Sequence, residues 1–462
     1  MQYLGNLFQT GLGSLAAYLA AHVLLCLLPA FLIAGALSAL VPKEAITKYL
    51  GRNTPKWISY PAAAIGGFVL AVCSCTIMPL FASIYKKGAG LGPAITFLFV
   101  GPAVNILAIS LTGVAIGMDI ALVRVVLSII FGVGIGLLMA WFFRESDAAH
   151  DKATNQQDAF AQGAVVPART WVFFALLLGI LIAGTLQVGV LTNNYLTFEW
   201  RSTAALAAGD APAPAHWAYA LQTWLNSLVP PNPSLGIEGV SVQGVLLIGL
   251  LATIGVTAWK GLDRVDEGFN NWTFAALGLI TLTLLVASFG VTVNVEGLTI
   301  GVTGKLLAEI ALLGGVWWMA LKKFEVYEMQ EWLWEMWRFV KQIMPLLLMG
   351  VFIAGAARVL IPATWITTLA GNNTVWANMA GVFFGVFMYF PTLVEVPIAQ
   401  TFLSLGMQRG PLLAYLLSDP ELSLQSILIT QKIIGKKKTW VYVGFVAVFS
   451  TLAGLIFGWI FG

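Results

Sequence analysis

Residues 77–109 read IMPLFASIYKKGAGLGPAITFLFVGPAVNILAI, and residues 395–427 read EVPIAQTFLSLGMQRGPLLAYLLSDPELSLQSI. Laid over one another at a constant offset of 318, the two stretches need no gap. Pro79 falls on Pro397, Gly88 on Gly406, Gly92-Pro93 on Gly410-Pro411, and Pro102 on Pro420. Glycine and proline set backbone shape, so the match concerns architecture more than apolar composition. Upstream, at an offset of 320, Ile33-Ala34-Gly35-Ala36 matches Ile353-Ala354-Gly355-Ala356, Pro42 matches Pro362, and Asn53-Thr54 matches Asn373-Thr374. A two-residue slip joins the registers. The chain reads as two copies of one unit.

Composition names the solvent of those copies. Of 462 residues, 59% are hydrophobic and 10% charged, and the mean hydropathy is +0.87. A soluble domain is about 25% charged, so hydrocarbon must supply the missing environment. Apolar segments of spanning length fall at 14–41, 119–143, 170–191, 240–259, 273–291, 304–321, 342–362 and 439–461. Residues 57–116 and 374–434 are apolar but interrupted by Gly, Pro and polar residues. Met1 to Gly13 carries no charge and 14–41 is too long for a signal-peptide core, so 14–41 reads as the first membrane helix. The mixed-charge stretch 144–169 reads as a flexible linker, and 193–238, with five prolines, as an external interfacial loop. A net charge of +3 leaves no basic face for nucleic acid. Three cysteines in apolar surroundings imply no disulfide framework. No phosphate-binding Gly-x-x-x-x-Gly-Lys-Ser/Thr loop occurs, so neither ATP hydrolysis nor a cofactor is expected.

Charge gives the two copies opposite orientations. Lys43, Lys48, Arg52 and Lys56 follow the first helix, whereas the equivalent 362–374 has no charge. Lys436, Lys437 and Lys438 precede the last helix, where the first copy has Asp119. Basic loops stay cytoplasmic. The N-terminus is then outside, and the second copy starts inside, behind Lys322, Lys323, Arg338 and Lys341. Lys260 and Arg264 mark a cytoplasmic turn among four connecting helices; Arg358 and Arg409 are exceptions on the outer side. Lys86-Lys87 also prefers the cytoplasm, which makes 57–86 a re-entrant hairpin with its tip near Cys73-Ser74-Cys75-Thr76. The crossing segment after it breaks at Gly101-Pro102. By symmetry the second copy turns near Pro391-Thr392-Leu393-Val394-Glu395 and breaks at Asp419-Pro420. Irregular backbone at membrane depth survives only where protein or a wet cavity covers it, and inverted repeats with broken helices are a transporter pattern.

Several residues there could carry chemistry. Cys73 and Cys75 lie two residues apart, and thiolates favour soft ions. His22 and Cys26 share a helix face one turn apart and could complete such a metal site; the alternative is small buried residues and a satisfied histidine. Glu395, Asp419 and Glu421 are the acids expected deepest in the bilayer, where a charge costs at least ~2.5–3.5 kcal/mol. Glu395 reads either as a proton- or cation-coupling group or as a neutral acid closing the hairpin tip. Asn105 and Ser423, just past each break, could cap half-helices. Lys305 and Glu309 read as a local pair, and Trp332, Trp334 and Trp337 as an interfacial belt.

At Cys73-Ser74-Cys75-Thr76-Ile77-Met78-Pro79-Leu80-Phe81, Lys87-Gly88-Ala89, Gly101-Pro102-Ala103-Val104-Asn105 and Pro391-Thr392-Leu393-Val394-Glu395-Val396-Pro397, the sequence resembles the bacterial predicted-permease family, which includes efflux permeases for trivalent organoarsenicals. The likeness covers both copies and leaves out about 144–340. It implies substrate contact at Cys73, Cys75, Pro79 and Asn105. Asp419 stands where the first copy has Gly101, a polar departure inside the repeat.

The expected fold is an all-α polytopic membrane protein: two inverted-topology repeats with re-entrant hairpins and broken helices, joined by about four connecting transmembrane helices. Its parts are 1–143, the cytoplasmic linker 144–169, the connecting helices 170–321 and the second repeat 322–462. The expected function is a secondary transporter of the cytoplasmic membrane, not an enzyme. It would export a small solute, a thiophilic metal or metalloid species in the sharper version, against protons by alternating access. The residues expected to meet that solute or shape its path are Cys73, Ser74, Cys75, Thr76, Pro79, Gly101, Pro102, Asn105, Pro391, Thr392, Glu395, Pro397, Asp419, Glu421 and Ser423. A thiol–disulfide oxidoreductase using Cys73 and Cys75, or a channel, are the alternatives. Expected partners are the solute and the lipid bilayer, with homo-oligomerisation left open.

Overall fold

Helix is the only local structure that satisfies its own backbone in hydrocarbon, and helices dominate this chain. The computed structural model describes residues 2–21, 23–70, 74–104, 109, 112–113, 115–156, 166–186, 188–201, 217–230, 239–295, 297–358, 363–387 and 392–461. The first repeat contains α1 (Gln2–Ala21), a π-helical turn (Val23–Leu27), α2 (Leu28–Leu40), α3 (Lys43–Leu50), α4 (Lys56–Leu70), α5 (Ser74–Lys86), α6 (Leu91–Ala103) and α7 (Met118–Phe142). After α8 (Arg144–Gln156) come α9 (Ala168–Thr185), α10 (Trp217–Leu228), α11 (Val242–Gly261), α12 (Asn271–Ala287) and α13 (Gly304–Lys322). The second repeat contains α14 (Val326–Arg358), α15 (Ala363–Ala370), α16 (Val375–Phe387), α17 (Thr392–Ser404), α18 (Arg409–Leu422), α19 (Leu424–Ile434) and α20 (Lys436–Phe461). Six described helices are long and apolar enough to cross a membrane, or eight if each of two bent pairs is one span. The chain is a polytopic membrane protein.

Helix α7 shows how the residues sort. Arg124, Ser128, Gly132, Ile135 and Met139 are buried, while Leu122, Val126, Ile129 and Leu137 are exposed. The buried stripe recurs every three or four residues, as one helix face must. Its polar and small members, Arg124, Ser128, Gly132 and Gly136, turn inward among apolar neighbours, and its exposed positions are apolar, the arrangement lipid requires.

The sequence repeat recurs in the backbone. Helices α5 and α17 begin at 74 and 392, α6 and α18 at 91 and 409, and α7 and α20 at 118 and 436, each pair 318 apart. Gly88 and Gly406 adopt matching positive φ values of 93° and 94°, which glycine tolerates at no steric cost. In the first half Gly90 N–H donates to Leu50 O (2.8 Å), and in the second Gln408 N–H donates to Ala370 O (3.0 Å). Equivalent backbone stitches thus tie the end of α3 to the residue before α6 and the end of α15 to the residue before α18, holding the two ends of the α4–α5 stretch, and of the α16–α17 stretch, near one another. Helices α6 and α7 approach at Gly92 and Gly136, where a Cβ on Gly136 would lie 2.7 Å from Gly92 O. Helices α18 and α20 approach in the same way at Gly410 and Gly454, with 2.5 Å between the equivalent points.

Between the halves, α7 and α20 run in opposite directions. Phe131 meets Phe449 at 5.2 Å between ring centroids and Phe142 meets Phe445 at 5.6 Å. Arg409 pairs with Asp119 at the start of α7 and donates to Phe461 O (3.2 Å) at the end of α20.

Five readings of the sequence need correction. The first apolar stretch is not one helix over 14–41: helix begins at Gln2 and bends by 53° through the π-helical turn. The bend in the second half lies at Ser423 (45°) rather than at Asp419-Pro420, because Ser423 leaves the helical region (φ −57°, ψ 143°) and its hydroxyl caps the helix that follows. The stretch 193–238 is not loop alone, and the otherwise helical chain carries a small sheet that begins there. Strands β1 (Asn194–Arg201), β2 (Gly290–Asn294) and β3 (Gly297–Thr303) form an antiparallel sheet in the order β1-β3-β2. β-branched residues at Val291, Thr292, Val293, Thr299 and Ile300 favour strand once α12 ends at Ala287. Residues 144–156 are helix, not loose linker: Asp147 accepts Leu91 N–H at 2.9 Å, and His150 stacks on Tyr85 at 4.2 Å. Trp332 and Trp337 are core residues rather than a belt, donating to Leu32 O (2.9 Å) and Asp263 Oδ1 (3.1 Å).

Candidate functional site

A tolerated charge inside an apolar span needs a partner. Arg124, fully buried on α7, has one in the other half of the molecule. Its Nη2 lies 2.9 Å from Oε1 and 3.1 Å from Oε2 of Glu395, 1% exposed in the first turn of α17. Among the described residues the guanidinium is not saturated: Nε and Nη1 have no hydrogen-bond partner there, nor does Ser128 Oγ one turn further along α7. A second acid stands nearby. Glu421, buried near the end of α18, accepts a hydrogen bond from Tyr442 Oη at 2.8 Å and lies within the electrostatic reach of Arg124. Glu421 Oε1 is unpaired. Asp419 is buried one turn before the bend, and Ser423 caps α19 by accepting Ser426 N–H at 3.3 Å. Thr430 on α19 reaches Met78 Sδ at 3.7 Å, tying the broken segment to the first-half hairpin.

The repeat explains how the site is divided. Arg124 and Tyr442 occupy equivalent positions 318 apart, and each holds an acid of the second half. Ile77 and Gly101 of the first half correspond to Glu395 and Asp419 of the second. At Gly101 a Cβ would come within 2.7 Å of Ile77 Cδ1, so the first half fills this place with apolar packing. The second half fills it with carboxylates. Polar function has concentrated in one copy and its counter-charge in the other.

Of the residues singled out in the sequence, Glu395, Glu421, Asp419 and Ser423 are buried on α17, α18 or the α18–α19 bend. Thr76 is buried in the first turn of α5, and Pro79 lies within that helix. Gly101 and Pro102 sit in the last turn of α6, buried. Ser74, Cys75, Thr392 and Pro397 lie in the helical backbone of α5 and α17, their side chains outside the described residues. His22, Cys73, Asn105 and Pro391 lie wholly outside them. Cys26 belongs to the π-helical turn. Among the described residues no three His, Cys, Asp or Glu gather as metal ligands. Sequence reading overlooked Arg124 and Tyr442. The signal for Arg124 was plain, since it is the one basic residue inside the span 119–143. The pair expected at Lys305 and Glu309 is not closed. Lys305 Nζ donates to Gly184 O (3.2 Å), and both oxygens of the buried Glu309 lack hydrogen bonds.

Comparison with known proteins agrees with this architecture. The profile of a family described as predicted permease matches residues 10–199 and 241–459. The UPF0718 protein MJ0584 of Methanocaldococcus jannaschii is 34% identical over 458 residues, 99% of this chain and 98% of that protein. The UPF0718 protein YraQ of Escherichia coli K12 is 31% identical over 123 residues, 26% of this chain and 34% of that protein. No solved structure matches the chain. The protein belongs to the predicted-permease family, as a multi-pass membrane transporter.

Proposed function

We propose that the protein is a proton-coupled secondary transporter of the cytoplasmic membrane, built from two inverted halves that expose one central site to either side in turn. The observation that carries this reading is the buried Arg124–Glu395 pair, which joins α7 of one half to α17 of the other. A proton on Glu395 would cancel the attraction to Arg124 and release one half from the other. The unpaired donors of Arg124 and the unpaired oxygen of Glu421 would then be open to a polar solute or water. Inversion is supported by the opposed directions of α7 and α20. Re-entry of the two hairpins is supported by the stitches at Leu50–Gly90 and Ala370–Gln408. The expected orientation is supported by the meeting of Lys86, Arg338 and Lys438 at one end and of the Arg409–Asp119 pair at the other. For the solute, Cys73 and Cys75 and the family resemblance favour a thiophilic metal or metalloid species, moved outward.

The test is uptake into inside-out vesicles over a panel of metals, metalloids and oxyanions, with Cys73→Ser and Glu395→Gln beside the parent. Glu395→Gln should lose accumulation driven by a proton gradient while retaining saturable counterflow. Parent-level accumulation in both variants would remove these residues from the mechanism.

A further inference from the structure

At the lysine-rich end lies a second polar concavity. It has a volume of about 530 Å³, and its wall includes Lys86, His150, Arg338, Lys432 and Lys438. These side chains come from five helices: α5 and α8 on one side, and α14, α19 and α20 on the other. From these contacts we infer that the cavity is a binding site for a phosphate-type oxyanion, either free in solution or carried on a lipid headgroup.

The charge balance supports an anion. Four cations line the wall, while the carboxylates that act on them, Glu335, Glu331 and Asp147, stand outside it. Glu335 lies 2.7 Å from Lys86 Nζ and 3.3 Å from Arg338 Nη1, and also accepts from Ser38. Asp147 is engaged by Leu91 N–H and lies 3.7 Å from Arg52. Among the described residues Lys432 has no ion-pair partner, and Lys438 reaches the hydroxyl of Tyr85 at 3.2 Å with Asp147 acting on it at longer range. His150 stacks on that same tyrosine. A guanidinium fork with two ammonium groups suits an oxyanion with several acceptor oxygens, and Ser146 and Gln342 add neutral donors to the wall.

Basic residues at the cytoplasmic end of a membrane protein are common for reasons of insertion alone. The Lys436-Lys437-Lys438 run separates that explanation from a site. Lys436 and Lys437 are exposed and are not part of the wall, while the adjacent Lys438 is. A general field of positive charge would treat the three alike. A bound oxyanion would bridge helices of both halves and hold this end closed. Lys438 lies one turn before Tyr442 on α20, but the oxyanion site is defined by the cavity wall alone and stands whether or not the transport reading does.

The experiment uses the full chain in nanodiscs of uncharged phosphatidylcholine, titrated calorimetrically with inorganic phosphate. A parallel arm follows phosphatidylglycerol retention by native mass spectrometry. Binding in the first arm identifies a free oxyanion and binding only in the second a lipid headgroup; either supports the site. Lys432→Gln/Lys438→Gln should weaken that binding by about tenfold or more. Lys436→Gln/Lys437→Gln, which keeps the same net charge change, should leave it within about twofold. Absence of binding in both arms, or equal weakening by the two variants, would overturn the proposal.

Discussion

Arg124 is the residue on which the arrangement turns. A guanidinium with no exposed surface and, among the described residues, two unpaired donors is a costly thing to keep, and the one partner seen there, Glu395, sits 271 residues away on the opposite half. Removing one member of such a pair leaves the other buried and uncompensated, at a cost of about 3–5 kcal/mol. Arg124→Gln should therefore lower thermal stability in detergent strongly, and adding Glu395→Gln should restore part of it. A double variant that melts no higher than Arg124→Gln alone would mean the pair contributes nothing through charge. Asp147 makes a separate prediction outside the membrane. Burial holds its carboxyl above the ordinary range, opposed by Leu91 N–H and by Arg52, His150 and Lys438. Because the folded value exceeds the unfolded one, its relative contribution to stability is greatest at low pH. It is lost as pH rises through the raised value. Melting temperatures of the parent should thus fall relative to Asp147→Asn as pH rises from the ordinary carboxylate range; a constant difference would contradict the shift.

At the scale of elements, small residues fix how closely helices pack. Gly136 and Gly454 face backbone oxygens across their helix pairs, whereas Gly134, two residues from the first, has nothing within 4 Å of a would-be Cβ. Gly136→Ala and Gly454→Ala should each destabilise by about 1–3 kcal/mol through overpacking. Gly134→Ala should be neutral or stabilising by up to ~1 kcal/mol, since it only improves helix propensity. Similar behaviour of all three would deny the close approach; denaturant melts of the three variants decide it. These contacts also show what the sequence could disclose. Gly88 and Gly406, Gly92 and Gly410, and the prolines beside them carry shape in their identity, so the repeat was readable from them directly. The sheet was not, because β1 and β3 are about a hundred residues apart and their pairing has no local signal. Glu395 was readable as a deep acid from cost alone. Tyr442, a modest polar residue in an apolar run, became visible only when its hydroxyl was placed on Glu421.

For the molecule as a whole, the proposed transport cycle requires that the Arg124–Glu395 region be reachable from each side of the membrane, but never from both together. Ser128 is buried one turn from Arg124 with an unpaired hydroxyl, and so offers a reporter beside the pair without altering it. The direct measurement is the reaction of Ser128→Cys, with the three native cysteines replaced by serine, with a membrane-impermeant thiol reagent added to right-side-out or inside-out vesicles. The account predicts labelling from both sides, with opposite dependence on an imposed proton gradient. Labelling from one side only under every gradient, or from neither, would contradict alternating access at this site.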